Sequence, residues 1–251
     1  MTDHWNEAAI YETYVGRWSR LVAPEFLTWL NIPSGARWLD VGCGTGILSQ
    51  TIVQQANPSE VKGVDRSAAF VELARDRVVD ESVSFEVGDA QQLSLESSRY
   101  DAVVSGLVLN FIPDLPQALR EMARVAKAGG VIAAYVWDYA DQMQMMRHFW
   151  DSVIALHPDA VEFDQARRFP ICKPEPLAEL FQNTGLGQVE VRSIDVITHF
   201  VDFEDYWTPF LGGQGPAPSY VTALNEQERT ELRHTIQTRL PIGSDGSIDL
   251  V

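Results

Sequence analysis

The sequence predicts an α/β fold built on a doubly wound, mostly parallel sheet, and three observations lead there. Short β-rich runs recur at RWLDVG (37–42), VKGVD (61–65), VSFEVGD (83–89), YDAVVSG (100–106) and VIAAYVWD (131–138). Between them lie amphipathic helix candidates: the stretch after Gly46 into TIVQQA, then SAAFVELARDRVV, then LPQALREMARVAKAGG, whose Gly129 and Gly130 read as a helix stop. Glycines crowd the end of the first β-rich run. Strands alternating with helices argue a parallel sheet with helices on both faces. Five such units in about 110 residues leave each crossover the length that a parallel connection needs.

Outside this core the pattern changes. Residues 5–31 hold two helix candidates, the second being PEFLTWL with Pro24 near its first turn. Beyond Asp138 a mixed helical stretch (141–169) precedes PEPLAELFQNTGL, which starts on proline and stops at Gly185. The β-rich run VEVRSIDVITHF (189–200) is expected as an antiparallel strand at one edge of the sheet. Next come DFEDYWTPF, the loop GGQGPAP (212–218), the helical NEQERTELRHTIQTRL (225–240), and GSIDLV, which reads as the opening of a strand paired with 189–200. These additions read as a helical cover over one core, so residues 1–251 form a single domain.

With 251 residues, 45% hydrophobic, 10% aromatic and 22% charged, the chain suits one large soluble α/β domain and excludes a disordered one. Its net charge of −16 opposes polyanions, so no nucleic-acid partner is expected. No apolar run reaches membrane-spanning length, and the start lacks the basic-then-apolar order of a secretory signal. The expectation is a cytoplasmic protein without membrane insertion. Cys43 and Cys172 are too few for a disulfide framework and are expected as reduced thiols. His4, His148, His157, His199 and His234 show no metal or triad spacing, so no metal is expected.

The chemistry-bearing signal is LDVGCGTG (39–46), where a strand ends in Asp40 and opens at once into Gly42, Gly44 and Gly46. Glycines let backbone approach a ligand, and the next helix offers free N–H groups at its start. An ordinary tight βα turn is the alternative. A dinucleotide fingerprint would need its last glycine where Ile47 stands, which disfavours a nicotinamide-dependent oxidoreductase, and no GK[ST] follows to make a P-loop. Asp65 ends the second run, where a carboxylate can accept both hydroxyl protons of a ribose. Asp89 closes the third, near where an adenine amino group would lie. Acidic ends on three successive strands point to an adenosine cofactor.

On these residues the chain resembles the class I S-adenosylmethionine-dependent methyltransferases, specifically those similar to the ubiquinone- and menaquinone-biosynthesis enzymes. LDVGCGTG looks like the first motif, GVDRS the ribose-binding acidic site, GDAQQL the adenine site and YDAVVSGLVLNFIPD the fourth-strand motif, over roughly residues 10–200. The resemblance implies a Rossmann-like methyltransferase fold with a sheet of the seven-stranded type and an inserted helical lid. It divides the chain into an amino-terminal helical lid (1–31), a cofactor-binding core (32–138) and a helical substrate cover (139–172 and 202–240). It implies S-adenosyl-L-methionine as cofactor, held by Asp40, Gly42, Cys43, Gly44 and Gly46, by Asp65 at the ribose, by Arg66, Asp89 and Ala90 around the adenine, and by Ser105 and Gly106 beside the sulfonium. Tyr14 or Trp18 would cover it.

The implied reaction is an in-line displacement that moves a methyl group to a small-molecule acceptor. A catalytically inactive module that keeps the cofactor site is the alternative. Many relatives carry a histidine pair where Asn110 and Phe111 stand here, so that base is absent. Asp138, Tyr139, Asp141 and His148 are the remaining candidates for catalysis, and Asn110, Trp137, Trp207 and Phe210 for contact with the acceptor. No residue pattern names the acceptor or an oligomeric state.

Overall fold

The computed structural model describes residues 16–212 and 215–251. In chain order its elements are α1 (Arg17–Leu30), β1 (Arg37–Val41), α2 (Ile47–Ala56), β2 (Glu60–Asp65), α3 (Ala68–Arg77), β3 (Val83–Val87), β4 (Tyr100–Gly106), α4 (Leu115–Val125), β5 (Ala126–Tyr135), α5 (Gln144–Leu156), α6 (Gln165–Arg168), α7 (Pro174–Asn183), β6 (Thr198–Phe200), α8 (Phe203–Trp207), α9 (Pro216–Ala223), α10 (Glu226–Arg239) and β7 (Ile248–Leu250). Short 3-10 turns occupy Leu109–Phe111, Pro158–Phe163 and Thr208–Leu211. The chain divides into two compact units.

The unit of Ser19–Trp137 and Pro174–Ile194 holds a five-stranded, wholly parallel sheet in the order β3-β2-β1-β4-β5. Helices flank it: α2 packs on β2, α3 on β2 and β3, and α4 on β4 and β5. Central strands covered on both faces need apolar runs rather than alternation. Accordingly Leu39 and Val41 of β1 and Ala102, Val103 and Val104 of β4 are completely buried. The winding reverses between β1 and β4, and the carboxyl ends at such a reversal are where open α/β sheets bind ligands.

Four expectations change here. The sheet has five strands, not seven. Within 189–200 only Thr198–Phe200 is a strand, and it pairs antiparallel with β7 in a separate two-stranded sheet, Thr198 opposite Leu250 and Phe200 opposite Ile248. Residues 189–197 alternate in exposure except at Arg192 and Ser193, which are both exposed, and none is buried, so the period-two pattern is met without a ladder. Helix α4 ends at Val125 rather than at the glycines, because Arg124 and Val125 give their carbonyls to Ser98 and Arg99 and the chain turns extended to pair Ala126 with Tyr100. Pro24 lies in the middle of α1, which begins earlier than PEFLTWL suggests.

The other unit comprises Asp138–Lys173 and Asp195–Val251, together with Trp18 and the residues just before it. Its helices bury rings against one another. Phe149 stacks on Phe210 at 4.5 Å and 5°, the Tyr206 hydroxyl donates to the Met145 carbonyl at 2.8 Å, and the Trp150 indole N–H donates to Gln165 at 2.8 Å. An ion pair joins Arg147 and Asp164 at 2.8 Å. Helix α10 begins in a full capping box between Asn225 and Glu228. Among the described residues no helix is long and apolar enough to cross a membrane.

Candidate functional site

The glycine segment between β1 and α2 is held to the end of β2 by backbone. The N–H groups of Gly42 and Cys43 both donate to the Val64 carbonyl, at 2.7 and 3.1 Å. Three positive φ values, +74° at Gly42, +53° at Gly44 and +84° at Gly46, require the left-handed backbone that only glycine adopts without strain. The surroundings of the three differ. A Cβ on Gly42 would stand 2.4 Å from Val108, and one on Gly46 3.1 Å from Val78, whereas one on Gly44 would meet nothing within 4 Å. The outer two glycines serve close packing, and the middle one borders open space.

Three carboxylates stand at or just beyond the carboxyl ends of the neighbouring strands β1, β2 and β3. Asp40, at 1% exposure, accepts the Ser49 hydroxyl on Oδ2 at 2.7 Å, while its buried Oδ1 has no partner. Burial pushes its pKa up to about 7, against the pull of the Ser49 hydrogen bond and with a smaller push from the Asp65 charge. Asp65 is also buried. Its Oδ2 accepts the Gly44 N–H at 2.9 Å and its Oδ1 the Ser67 N–H at 2.8 Å. Burial raises its pKa and those two N–H groups oppose the rise. Each oxygen keeps a lone pair for a further donor. Asp89 is exposed beyond β3, and the Gln91 backbone and side-chain amides hold its pKa down.

The remaining expected residues fall into three groups. Cys43, Arg66, Ala90, Ser105 and Gly106 lie with the carboxylates at the carboxyl ends of β1 to β4. Burial raises the Cys43 thiol well above its usual range, Arg66 is exposed, and the Ser105 hydroxyl is committed to the Val41 carbonyl at 2.8 Å. Asn110 and Trp137 follow β4 and β5, and the Asn110 Nδ2 and Trp137 Nε1 are buried without partners.

The second group lies in the other unit. Trp18 sets its ring edge-on to Phe200 at 5.3 Å, and Phe210 is wholly enclosed by Phe149, Tyr206 and Trp207. These rings belong to that unit's core. The third group holds the catalytic candidates. Asp138 accepts the N–H groups of Ala140 and Asp141 at 3.1 and 2.9 Å, Tyr139 is buried near Phe169, Asp141 is exposed, and burial lowers the pKa of His148. Tyr14 lies outside the described residues. No cluster of three or more metal-ligating side chains occurs among the described residues.

Residues 39–134 match the family described as the methyltransferase domain. The demethylmenaquinone methyltransferase of Staphylococcus aureus is 29% identical over 176 residues, which cover 65% of this chain and 73% of that one. Residues 39–134 form a class I S-adenosylmethionine-dependent methyltransferase domain. Solved structures agree at the level of fold. The YcgJ protein of Bacillus subtilis superposes with a TM-score of 0.57 at 18% identity, over 91% of this chain and 94% of that one. A chain of the Haloferax volcanii complex between a methyltransferase and the Trm112 methyltransferase activator gives 0.57 at 21%, over 76% and 79%. That methyltransferase domain takes S-adenosylmethionine as its cofactor.

The residues of the methyltransferase domain fit that cofactor. Gly44 borders space that a side chain would fill, and the buried, unpartnered Asp40 Oδ1 is an acceptor in want of a donor such as an amino group. Motif reading passed over the supporting residues. Ser49 could have been found, because it falls in the first turn of the helix that the glycines open. Val108 and Arg77 carry no local signal, because their partners are distant in sequence, whereas Gln91 bonds Asp89 two residues before it.

Proposed function

We propose that this domain moves the methyl group of S-adenosylmethionine to a small, partly apolar acceptor by in-line displacement. The observation that carries the reading is the pairing of Gly44, which borders open space, with the Asp65 carboxylate bonded to its N–H. Asp40 Oδ1 would take the amino group of the methionine part, Asp65 the ribose hydroxyls, and Asp89 with Ala90 the amino edge of the adenine. When bound, the cofactor supplies a sulfonium-activated methyl group. The chain's own work is then binding, orientation and the exclusion of water. Ser105, locked to Val41, and Gly106, held against the Tyr135 hydroxyl, give the end of β4 a fixed shape for this. A small-molecule acceptor is supported by the Staphylococcus aureus relative, which is named for one.

Incubating the protein with methyl-labelled S-adenosylmethionine and fractionated small metabolites tests the reading, with calorimetry against the cofactor and against NAD alongside. Label appearing in a small molecule is the expected result. Tight cofactor binding without transfer to any fraction would favour the inactive module, and binding of NAD alone would contradict the proposal.

A further inference from the structure

We infer that Arg77, at the far end of α3 from Asp65, is a positioning residue that sets the affinity for S-adenosylmethionine by fixing the glycine segment. This rests on the cofactor site proposed above. The guanidinium Nη1 donates to the Thr45 hydroxyl at 2.7 Å and to the Thr45 carbonyl at 3.2 Å. Thr45 is buried and stands between Gly44 and Gly46, so one cation grips both the side chain and the peptide of the residue joining the two glycines. Orienting that peptide orients its neighbours, because glycine offers no side-chain restraint of its own.

Helix α3 supports the grip along its length. Val71, Ala74 and Val78 lie on one face and pack with Cys43 and Phe85 in a buried cluster beneath the segment. The missing side chain of Gly46 lets Ala74 and Val78 approach, since an added Cβ would lie 3.2 and 3.1 Å from them. At its other end α3 starts from the Ser67 cap, whose N–H donates to Asp65 Oδ1, while Asp65 Oδ2 accepts from Gly44. The helix therefore ties the ribose carboxylate to the glycine segment from both ends, with Asp65 at one and Arg77 at the other. A charged hydrogen bond to a partly buried acceptor is stronger than a neutral one.

Arg75 supplies a control from the same helix. It also donates to a backbone carbonyl, that of Phe85 at 2.7 Å, but away from the glycines. The experiment measures cofactor affinity by calorimetry and melting temperature for Arg77→Gln, Arg77→Lys, Thr45→Val and Arg75→Gln in the full chain. Arg77→Gln is expected to weaken binding by about tenfold or more, with Arg77→Lys recovering most of the loss. In turnover, KM for S-adenosylmethionine rises while KM for the acceptor does not. Thr45→Val, which removes the hydroxyl that Arg77 grips, weakens binding severalfold. Arg75→Gln loses comparable thermal stability yet binds within about twofold of the wild type. Wild-type affinity in either Arg77→Gln or Thr45→Val overturns the inference, as does an equal loss in Arg75→Gln. A wild-type protein that binds no S-adenosylmethionine overturns the proposed function and this inference together, whereas insensitive variants of a binding wild type overturn this inference alone.

Discussion

The Asp65 carboxylate accepts the Gly44 N–H at 2.9 Å, so the residue that ends β2 holds the middle glycine of the turn after β1. β1 and β2 are neighbours in parallel register, with Val41 beside Val64, which brings the two turns together at one edge. A substitution at Asp65 would therefore act twice, on the proposed ribose contact and on the shape of the glycine segment.

Asp65→Ala is expected to weaken S-adenosylmethionine by at least tenfold and Asp65→Asn by less, because Asn keeps one acceptor oxygen. The estimate follows from about 1.5–3 kcal/mol for a charge-assisted hydrogen bond. Calorimetry on folded variants decides; equal affinity in Asp65→Ala and wild type would mean that the ribose is held elsewhere.

The three glycines should separate stability from binding. Gly42→Ala forces a Cβ to within 2.4 Å of Val108 and is expected to unfold most readily. Gly44→Val suffers left-handed strain of about 1–2 kcal/mol but its Cβ meets no neighbour, so it is expected to keep the fold and lose the cofactor. Melting curves paired with binding isotherms check the order, which would be wrong if Gly44→Val bound normally.

Asp40 makes stability depend on pH. Its folded pKa of about 7 lies above the ordinary 3.8, chiefly through burial, so the fold keeps a proton that the unfolded chain releases. The sign follows: the contribution is fully present below pH 4 and is lost as pH rises through about 7, by an amount on the order of 4 kcal/mol. Melting temperatures of wild type and Asp40→Asn across pH 5 to 8 should therefore diverge, with the variant gaining relative to wild type toward pH 8. Parallel curves would remove the argument.

Phe210→Ala is expected to cost about 3–5 kcal/mol of stability through the cavity left beside Phe149. Cofactor affinity should stay within about twofold in the folded fraction, well under the tenfold that 1.4 kcal/mol represents. This variant probes the aromatic cluster better than removing 205–218, which would take out the buried Tyr206, Trp207 and Phe210 together. A clear loss of cofactor affinity at unchanged stability would contradict this and place Phe210 beside the cofactor.

Much of the methyltransferase core was legible because its signals are local. A strand ending in Asp40, three alternate glycines and acids at Asp65 and Asp89 state their geometry within a few residues. The rest depended on pairings far apart in sequence. The end of α4 was set by Ser98 and Arg99 taking its last carbonyls, and the glycine stop read at Gly129 gave way to that. The run 189–200 alternates like a strand, yet only the part facing Ile248–Leu250 found a partner. The rings at 207 and 210 were read as acceptor contacts, and composition alone could not foretell that Phe149 stacks on Phe210 and Phe203 on Trp207.

The most direct test of the central claim is calorimetric titration of S-adenosylmethionine into wild type and Gly44→Val, both shown to be folded by their melting curves. The account predicts a one-site isotherm for wild type and no detectable heat of binding for the variant. Equal binding by the two, or none by wild type, would contradict it.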